Sequence, residues 1–418
     1  MALISQTSYT LGRPKFAIAS LSLGSNAYHN LPTKIRVASK LGYDGIEIFI
    51  PDFEAFVAEV RDGQHAELFD SLFPDTLPLD ELETACAEAL LKLCISHNLE
   101  IPLLQPLRNF ENFRSQAQLD VALDEAERWF RLMAIMKCEL ILVCSNHIPL
   151  PHPITREYTR EMYLDAQVDA LRQLGARAEK YEVKIGYEPL SWGTVVDNWM
   201  QIWDVVKRVD RKNVGVLLDS FNTLGNQYAD PGEASCIRPQ QTLAKMLQNL
   251  TEMSRVIPAE KIFFYQIADG VRPQEILTDT EDMPRRMKWS RTSRVFPCEP
   301  PASRLDSVSD QENPSTGYLG FLPVTQMSYL VHRTGYRGWW SLEVYNSSLH
   351  VSDEECPWSH ARRGIAGLKT LWEITKDEIT RDEIKATANC KQDDLEETDQ
   401  KRHTYNSTGN AKKDGTWK

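Results

Sequence analysis

Four short runs in this sequence each carry an apolar stretch to a side chain with oxygen atoms to offer. They are Tyr187-Glu188-Pro189, Leu218-Asp219-Ser220, Tyr265-Gln266-Ile267 and Leu342-Glu343-Val344. A single acid at the end of a strand is most often a helix cap or a surface group. Four such groups in successive strands ask for another account. Carboxylates brought face to face repel one another, and a divalent cation between them removes the repulsion. Oxygen-only ligands suit a hard ion such as Mg²⁺ or Mn²⁺ rather than zinc. Glu188, Asp219, Gln266 and Glu343 are therefore the expected metal ligands. A centre of that kind acts as a Lewis acid towards a bound carbonyl. Three residues after Asp219 stands Asn222, at the start of the following loop, where it either reaches a substrate or shapes the turn. Glu47 lies inside another strand and either meets substrate hydroxyls, orients a ligand, or is a buried acid paired with a basic residue. Gln105 and Asn146 end two further strands and are candidate polar contacts.

Such groups need a scaffold that gathers strand ends. Along the chain, short β-rich runs alternate with longer amphipathic ones. The strands expected are Phe16 to Leu21, Gly45 to Phe49, Glu100 to Leu104, Glu139 to Cys144, Val183 to Tyr187, Asn213 to Leu218, Lys261 to Ile267 and Trp339 to Val344. Helical patterns separate them, for example Leu79 to His97, Ser115 to Met136 and Glu157 to Tyr181, and a last one runs from about Ser359 to Ile374. Eight strand–helix units predict an α/β fold, a closed (β/α)₈ TIM barrel, with its active site at the C-terminal ends of the strands. Runs such as Leu140-Ile141-Leu142-Val143 are apolar throughout, as strands buried on both faces must be. A long connection, Gly270 to Tyr318, follows the seventh strand and is expected on the active face. The barrel is expected over residues 1–374, and the charged tail over 375–418 is expected to be disordered.

The totals narrow the classes. With 418 residues and a formal net charge of -12, the chain lacks the overall basic balance that nucleic-acid binding favours. No apolar run approaches the roughly 20 residues that cross a bilayer, and the first residues show no basic-then-apolar leader pattern. The expectation is a cytoplasmic protein with a small-molecule partner, no nucleic acid and no membrane. None of the eight cysteines forms a C-x-x-C pair. They read as free thiols that fill the core.

Several stretches are also familiar in combination. Y-E-P-L-S-W-G-T-V-V-D-N-W (Tyr187 to Trp199), V-G-V-L-L-D-S-F-N-T-L-G (Val214 to Gly225), F-Y-Q-I-A-D (Phe264 to Asp269), R-M-K-W-S-R-T-S-R-V-F (Arg286 to Phe296) and G-W-W-S-L-E-V-Y-N (Gly338 to Asn346) stand in this order. Together with K-F-A-I-A-S-L-S-L-G from Lys15 they resemble the fungal 3-dehydroshikimate dehydratases of quinate catabolism, within the xylose-isomerase-like barrel superfamily. The resemblance runs from about Lys15 to Ile374. It implies a lyase that dehydrates 3-dehydroshikimate to protocatechuate, with Glu188, Asp219, Gln266 and Glu343 matching the family's ligands and Mg²⁺, Mn²⁺ or Co²⁺ as the cofactor. Elimination of water next to a ketone needs a stabilised enolate, a base at the C–H and an acid for the leaving hydroxyl. Glu188 and Glu343 could double as ligand and base. His29 falls near a histidine of the family, and its alternative is a loop residue capping the next helix. Arg291 and Arg294 in W-S-R-T-S-R are the candidates for the substrate's carboxylate, which an arginine can bind through two hydrogen bonds. Val195 stands where many members carry arginine or histidine. A metal-dependent isomerase or epimerase of a polyhydroxy ketone is the alternative on the same barrel, and a non-catalytic homologue is the third.

Overall fold

The structure, a computed structural model, describes residues 12–70, 73–149, 151–280, 283–301 and 317–409, with residues 386–409 as backbone only. In chain order its elements are β1 (Phe16–Ala19), α1 (Leu31–Lys40), β2 (Gly45–Phe49), α2 (Ile50–Arg61), α3 (Leu79–Ser96), β3 (Leu104–Leu107), α4 (Gln116–Met136), β4 (Leu140–Cys144), α5 (Arg160–Glu179) and β5 (Lys184–Glu188). There follow α6 (Trp199–Val209), β6 (Val214–Asp219), α7 (Ser220–Gln227), α8 (Leu243–Val256), β7 (Ile262–Ile267), β8 (Asp269–Gly270), α9 (Arg285–Ser293), β9 (Arg294–Val295), α10 (Val324–Arg333), β10 (Trp340–Leu342) and α11 (Glu355–Gly409). Eight parallel strands close in the order β1-β2-β3-β4-β5-β6-β7-β10, and β10 returns to pair with β1. The (β/α)₈ barrel is thus the observed fold.

Local chemistry sets the helix starts. Ser115, Thr159, Asn198 and Thr242 each accept a hydrogen bond from a backbone N–H in the first turn of α4, α5, α6 and α8. The strands are buried almost end to end, β4 and β6 completely. Side chains alternate across each strand. One set packs outward under the helices in the large core. The other fills the barrel with Leu103, Leu140, Leu142, Cys144, Leu217 and Phe264. Leu217 shares its face with Asp219, and Phe264 with Gln266. The polar groups of the rim therefore stand directly on an apolar floor inside the barrel.

Some boundaries differ from expectation. The third strand is Leu104–Leu107 rather than Glu100 to Leu104: Glu100 makes an isolated bridge to Gly45, and Pro102 has no N–H with which to continue the pairing. Helices α2 and α7 were not anticipated. The connection after β7 holds α9 and a short antiparallel pair, β8 with β9; its residues 302–316 lie outside the described ones. The expected boundary at Ile374 falls inside α11, and Thr375 and Ile379 beyond it are buried. The seven described cysteines are unpaired and buried.

Candidate active site

Adjacent strands deliver the acids by register. Glu188 closes β5, Asp219 closes β6, and Asp219 lies beside Gln266 of β7. Gln266 in turn lies beside Ser341 of β10, two residues before Glu343. Carboxylate oxygens of Glu188, Asp219 and Glu343 converge to within 4.8 Å of one another, all buried. Arg294, 1 % exposed, reaches in from β9. Its Nη1 donates to Asp219 Oδ2 at 2.8 Å, to Glu343 Oε2 at 3.0 Å and to the Glu343 carbonyl at 3.0 Å. Asn222 Nδ2 donates to Glu188 Oε1 at 2.8 Å, while the Asn222 N–H donates to Asp219 Oδ1 at 2.5 Å. The Ser191 N–H fixes the other end of the Asn222 amide at 3.1 Å. Burial and the neighbouring Glu343 and Asp219 push the Glu188 carboxyl well above the usual carboxylate range. Burial raises Glu343 to about 7, although Arg294 pulls it down.

A second layer lies against this cluster. Glu47 Oε2 accepts from Gln105 Nε2 and from Gln266 Nε2, each at 2.7 Å. Burial, helped by the charge of Glu343, lifts Glu47 to about 8. The Gln266 amide is thereby turned so that its nitrogen serves Glu47. Its Oε1 is left buried with no hydrogen-bond donor. An orphaned amide oxygen is costly in such a place, and a cation satisfies it. Three carboxylates against one arginine also leave negative charge to be balanced. The residues present thus fit a divalent cation held by Glu188, Asp219, Gln266 and Glu343.

Above the cluster opens a cavity of about 180 Å³. Glu188 and Glu343 form part of its wall, Leu142, Trp192 and Tyr345 give it apolar surface, and Arg108 and Arg291 bring positive charge. Arg291 lies over the Tyr345 ring at 4.7 Å, and Arg108 over the Phe49 ring at 5.4 Å. An anionic, partly flat molecule suits this lining. The wall beside it is braced by Glu111, a buried carboxylate pushed up to about 7 by burial despite hydrogen bonds from Tyr187, the Asn146 N–H and Tyr163.

The sequence profile described as "Xylose isomerase-like TIM barrel" matches residues 35–370. The chain belongs to that family. Within this xylose isomerase-like family it is 32 % identical to the 3-dehydroshikimate dehydratase of Neurospora crassa over 362 residues, 84 % of this chain and 91 % of the relative. It is 31 % identical to a protein of the same name from Pseudomonas aeruginosa over 87 % of this chain but only 43 % of that longer relative. Among solved structures, it resembles a xylose isomerase-like TIM barrel/4-hydroxyphenylpyruvate dioxygenase fusion protein with a TM-score of 0.61 and 27 % identity, covering 89 % of this chain and 45 % of the other. The zinc-bound IOLI protein shares the fold with a TM-score of 0.58 at 17 % identity, covering 85 % of this chain and 99 % of the other.

In this xylose isomerase-like barrel the residues singled out from sequence fall into three groups. Glu188, Glu343, Gln105, Asn146, Arg291 and Arg294 line the cavity. Asp219, Asn222 and Glu47 stand behind it, bonded to Arg294, Glu188 and Gln105 respectively, and Gln266 lies one step further back, bonded to Glu47. His29 is elsewhere: its Nε2 bonds the Val351 carbonyl at 2.9 Å, and it is not among the cavity residues. Glu47 is paired with two glutamines, not with a basic residue. Arg294 bonds to Asp219 and Glu343 through Nη1 and to Ser290 through Nε. Arg108, Tyr345 and Glu111 were missed. Arg108 and Glu111 sit three and six residues past Gln105, in a stretch without periodicity, so only the closeness of Arg108 to a strand end could have signalled it.

Proposed function

We propose that the chain catalyses the metal-dependent dehydration of 3-dehydroshikimate to protocatechuate. The observation that carries this reading is the buried Glu188–Asp219–Glu343 cluster with the unpartnered Gln266 Oε1 beside it, opening into a cavity lined by Arg108, Arg291 and Arg294. The names of the curated relatives in Neurospora crassa and Pseudomonas aeruginosa support the substrate. The chain is an enzyme of this type, and we place it in quinate breakdown in the cytoplasm. Among the described residues no helix is long and apolar enough to cross a membrane.

A divalent cation such as Mg²⁺ or Mn²⁺ held by Glu188, Asp219, Gln266 and Glu343 would supply Lewis-acid polarisation of the substrate's ketone. The chain's own residues do the rest. Arg291 and Arg108 hold the carboxylate at the cavity wall, and Tyr345 and Trp192 flank the ring. Glu188 takes the proton from the carbon next to the ketone, and the carboxylic acid so formed gives it to the departing hydroxyl on the neighbouring carbon, so that the C–O bond breaks and water leaves. Asn222 fixes Glu188 Oε1 and leaves the other oxygen to accept. Glu343 is the weaker candidate base, because Arg294 stabilises its charged form. The aromatic product supplies the driving force.

Incubation of the purified protein with 3-dehydroshikimate and Mg²⁺ or Mn²⁺ should give the ultraviolet absorption of protocatechuate, and a chelator should remove it. Glu343→Gln should lower kcat by about 100-fold or more while the protein stays folded. No product at saturating metal, or an unimpaired variant, would sink the reading. Turnover of another polyhydroxy ketone in its place would point to an isomerase or epimerase.

A further inference from the structure

Glu111 is a fully buried carboxylate that the proposed reaction does not use. It lies in the segment after β3, outside the cavity lining. Three donors from three other parts of the fold converge on it. The Tyr163 hydroxyl of α5 donates to Oε2 at 3.0 Å, the Asn146 N–H beyond β4 donates to Oε2 at 3.0 Å, and the Tyr187 hydroxyl of β5 donates to Oε1. Among the described residues no cationic side chain pairs with it. A buried acid held only by two hydroxyls and one amide is a poor device for stability. It is a good one for fixing a position.

What it fixes is the cavity wall. The residues just before it, Pro106, Arg108 and Asn109, line the cavity, and so do Asn146 and His147. Asn109 and Asn112, on either side, have positive φ of 57° and 64°, so this stretch turns sharply and has no ladder of its own. Its ties are side-chain ones: Gln167 Nε2 donates to the Phe110 carbonyl at 3.0 Å, and Glu111 takes the three donors above. On the far side, the Asn146 carbonyl accepts from the Thr194 N–H at 2.9 Å, which joins the same brace to the turn after β5.

We propose that Glu111 is a positioning residue for substrate recognition, which holds Arg108 and Asn146 against the cavity without touching the four candidate ligands. The proposal rests on the dehydratase reading for its substrate, and its geometric half is tested without it. In Glu111→Ala, amide hydrogen exchange should speed up across residues 106–114 and at Asn146, with residues 214–219 unchanged. Mn²⁺ affinity, measured by titration calorimetry on the protein without substrate, should stay within about twofold. KM for 3-dehydroshikimate should rise by about tenfold with kcat little changed, the size expected for a lost buried hydrogen-bond set. Glu111→Gln keeps an acceptor oxygen and offers N–H to a tyrosine oxygen, so it should recover most of that loss. Tyr163→Phe removes one hydroxyl alone and should show a smaller change of the same kind if Glu111→Ala folds poorly. Unchanged exchange across residues 106–114 would overturn the proposal. So would a joint loss of Mn²⁺ affinity and kcat with no rescue by glutamine, which marks general loosening. A wild-type protein that does not turn over 3-dehydroshikimate would reject the substrate reading instead, and the exchange measurement would still decide the role of Glu111.

Discussion

Asn222 shows what one amide does at the centre of the site. Its nitrogen holds Glu188 Oε1, its backbone N–H holds Asp219 Oδ1, and its oxygen is held by Ser191. Two candidate ligands are thus oriented by one residue that touches the cavity only through them. Asn222→Ala should weaken Mn²⁺ binding by about 10- to 100-fold, the usual effect of removing a group that orients a ligand, and titration calorimetry would read it. Unchanged affinity would show that Asn222 is only a turn former. The four candidate ligands were legible in sequence because each is an oxygen-bearing side chain near the end of an apolar strand. Asn222 was legible only as a neighbour of Asp219. Arg294 was legible as an arginine but not in its contacts. It meets Asp219 and Glu343 because β9 is hydrogen-bonded to the segment after β10, where the Arg294 N–H reaches the Tyr345 carbonyl at 3.1 Å. No local pattern encodes that meeting.

Helix α7 explains why some elements escaped the pattern. Every residue from Ser220 to Gln227 is buried, so polar residues such as Asn222 and Asn226 meet protein groups rather than solvent, and eight residues are too few to show a period in the sequence. Helix α2 opens with Ile50-Pro51, which reads as a turn, yet proline at the first helical turn suits a helix start. The connection after β7 hid its structure for a related reason. It is built on Asp269, whose Oδ1 accepts from the Gly270 N–H at 2.7 Å and the Leu322 N–H at 2.9 Å. A Cβ on Gly320 would lie 2.0 Å from the Asp269 Cγ, so only glycine lets the chain pass there. Burial pushes Asp269 up to about 7, although those amides pull it back. An ordinary aspartate titrates near 4. The folded protein therefore binds the extra proton between about 4 and 7, and this group's stabilisation is lost as pH rises through about 7. Asp269→Asn keeps the Oδ1 acceptor and removes the charge. Its melting temperature should fall less than that of wild type between pH 5 and 8 in chelator, and an equal fall would refute the assignment.

At the scale of the molecule, the barrel was legible because eight apolar runs recur with helical patterns between them, and its C-terminal limit was not. Composition changes near Ile374, but packing does not. Ile379 is 8 % exposed, and Asp382 accepts from the Tyr329 hydroxyl of α10. A chain ending after Ile374 should lose about 2 kcal/mol of unfolding free energy from the lost Ile379 burial, measured by denaturant titration. Stability equal to that of the full chain would restore the boundary at Ile374. The closed order of strands has one more consequence. The seam joins Phe16, Ala17 and Ile18 to Trp340, Ser341 and Leu342, and the Val344 N–H crosses it to Ser22 Oγ at 2.8 Å. During synthesis on the ribosome, the outer edge of β1 must wait for more than three hundred residues to emerge before it gains its second neighbour. The candidate ligands are spread from Glu188 to Glu343, so the last of them also emerges late. A nascent chain has an open sheet edge to shield and cannot draw on metal binding to close it until translation is nearly complete.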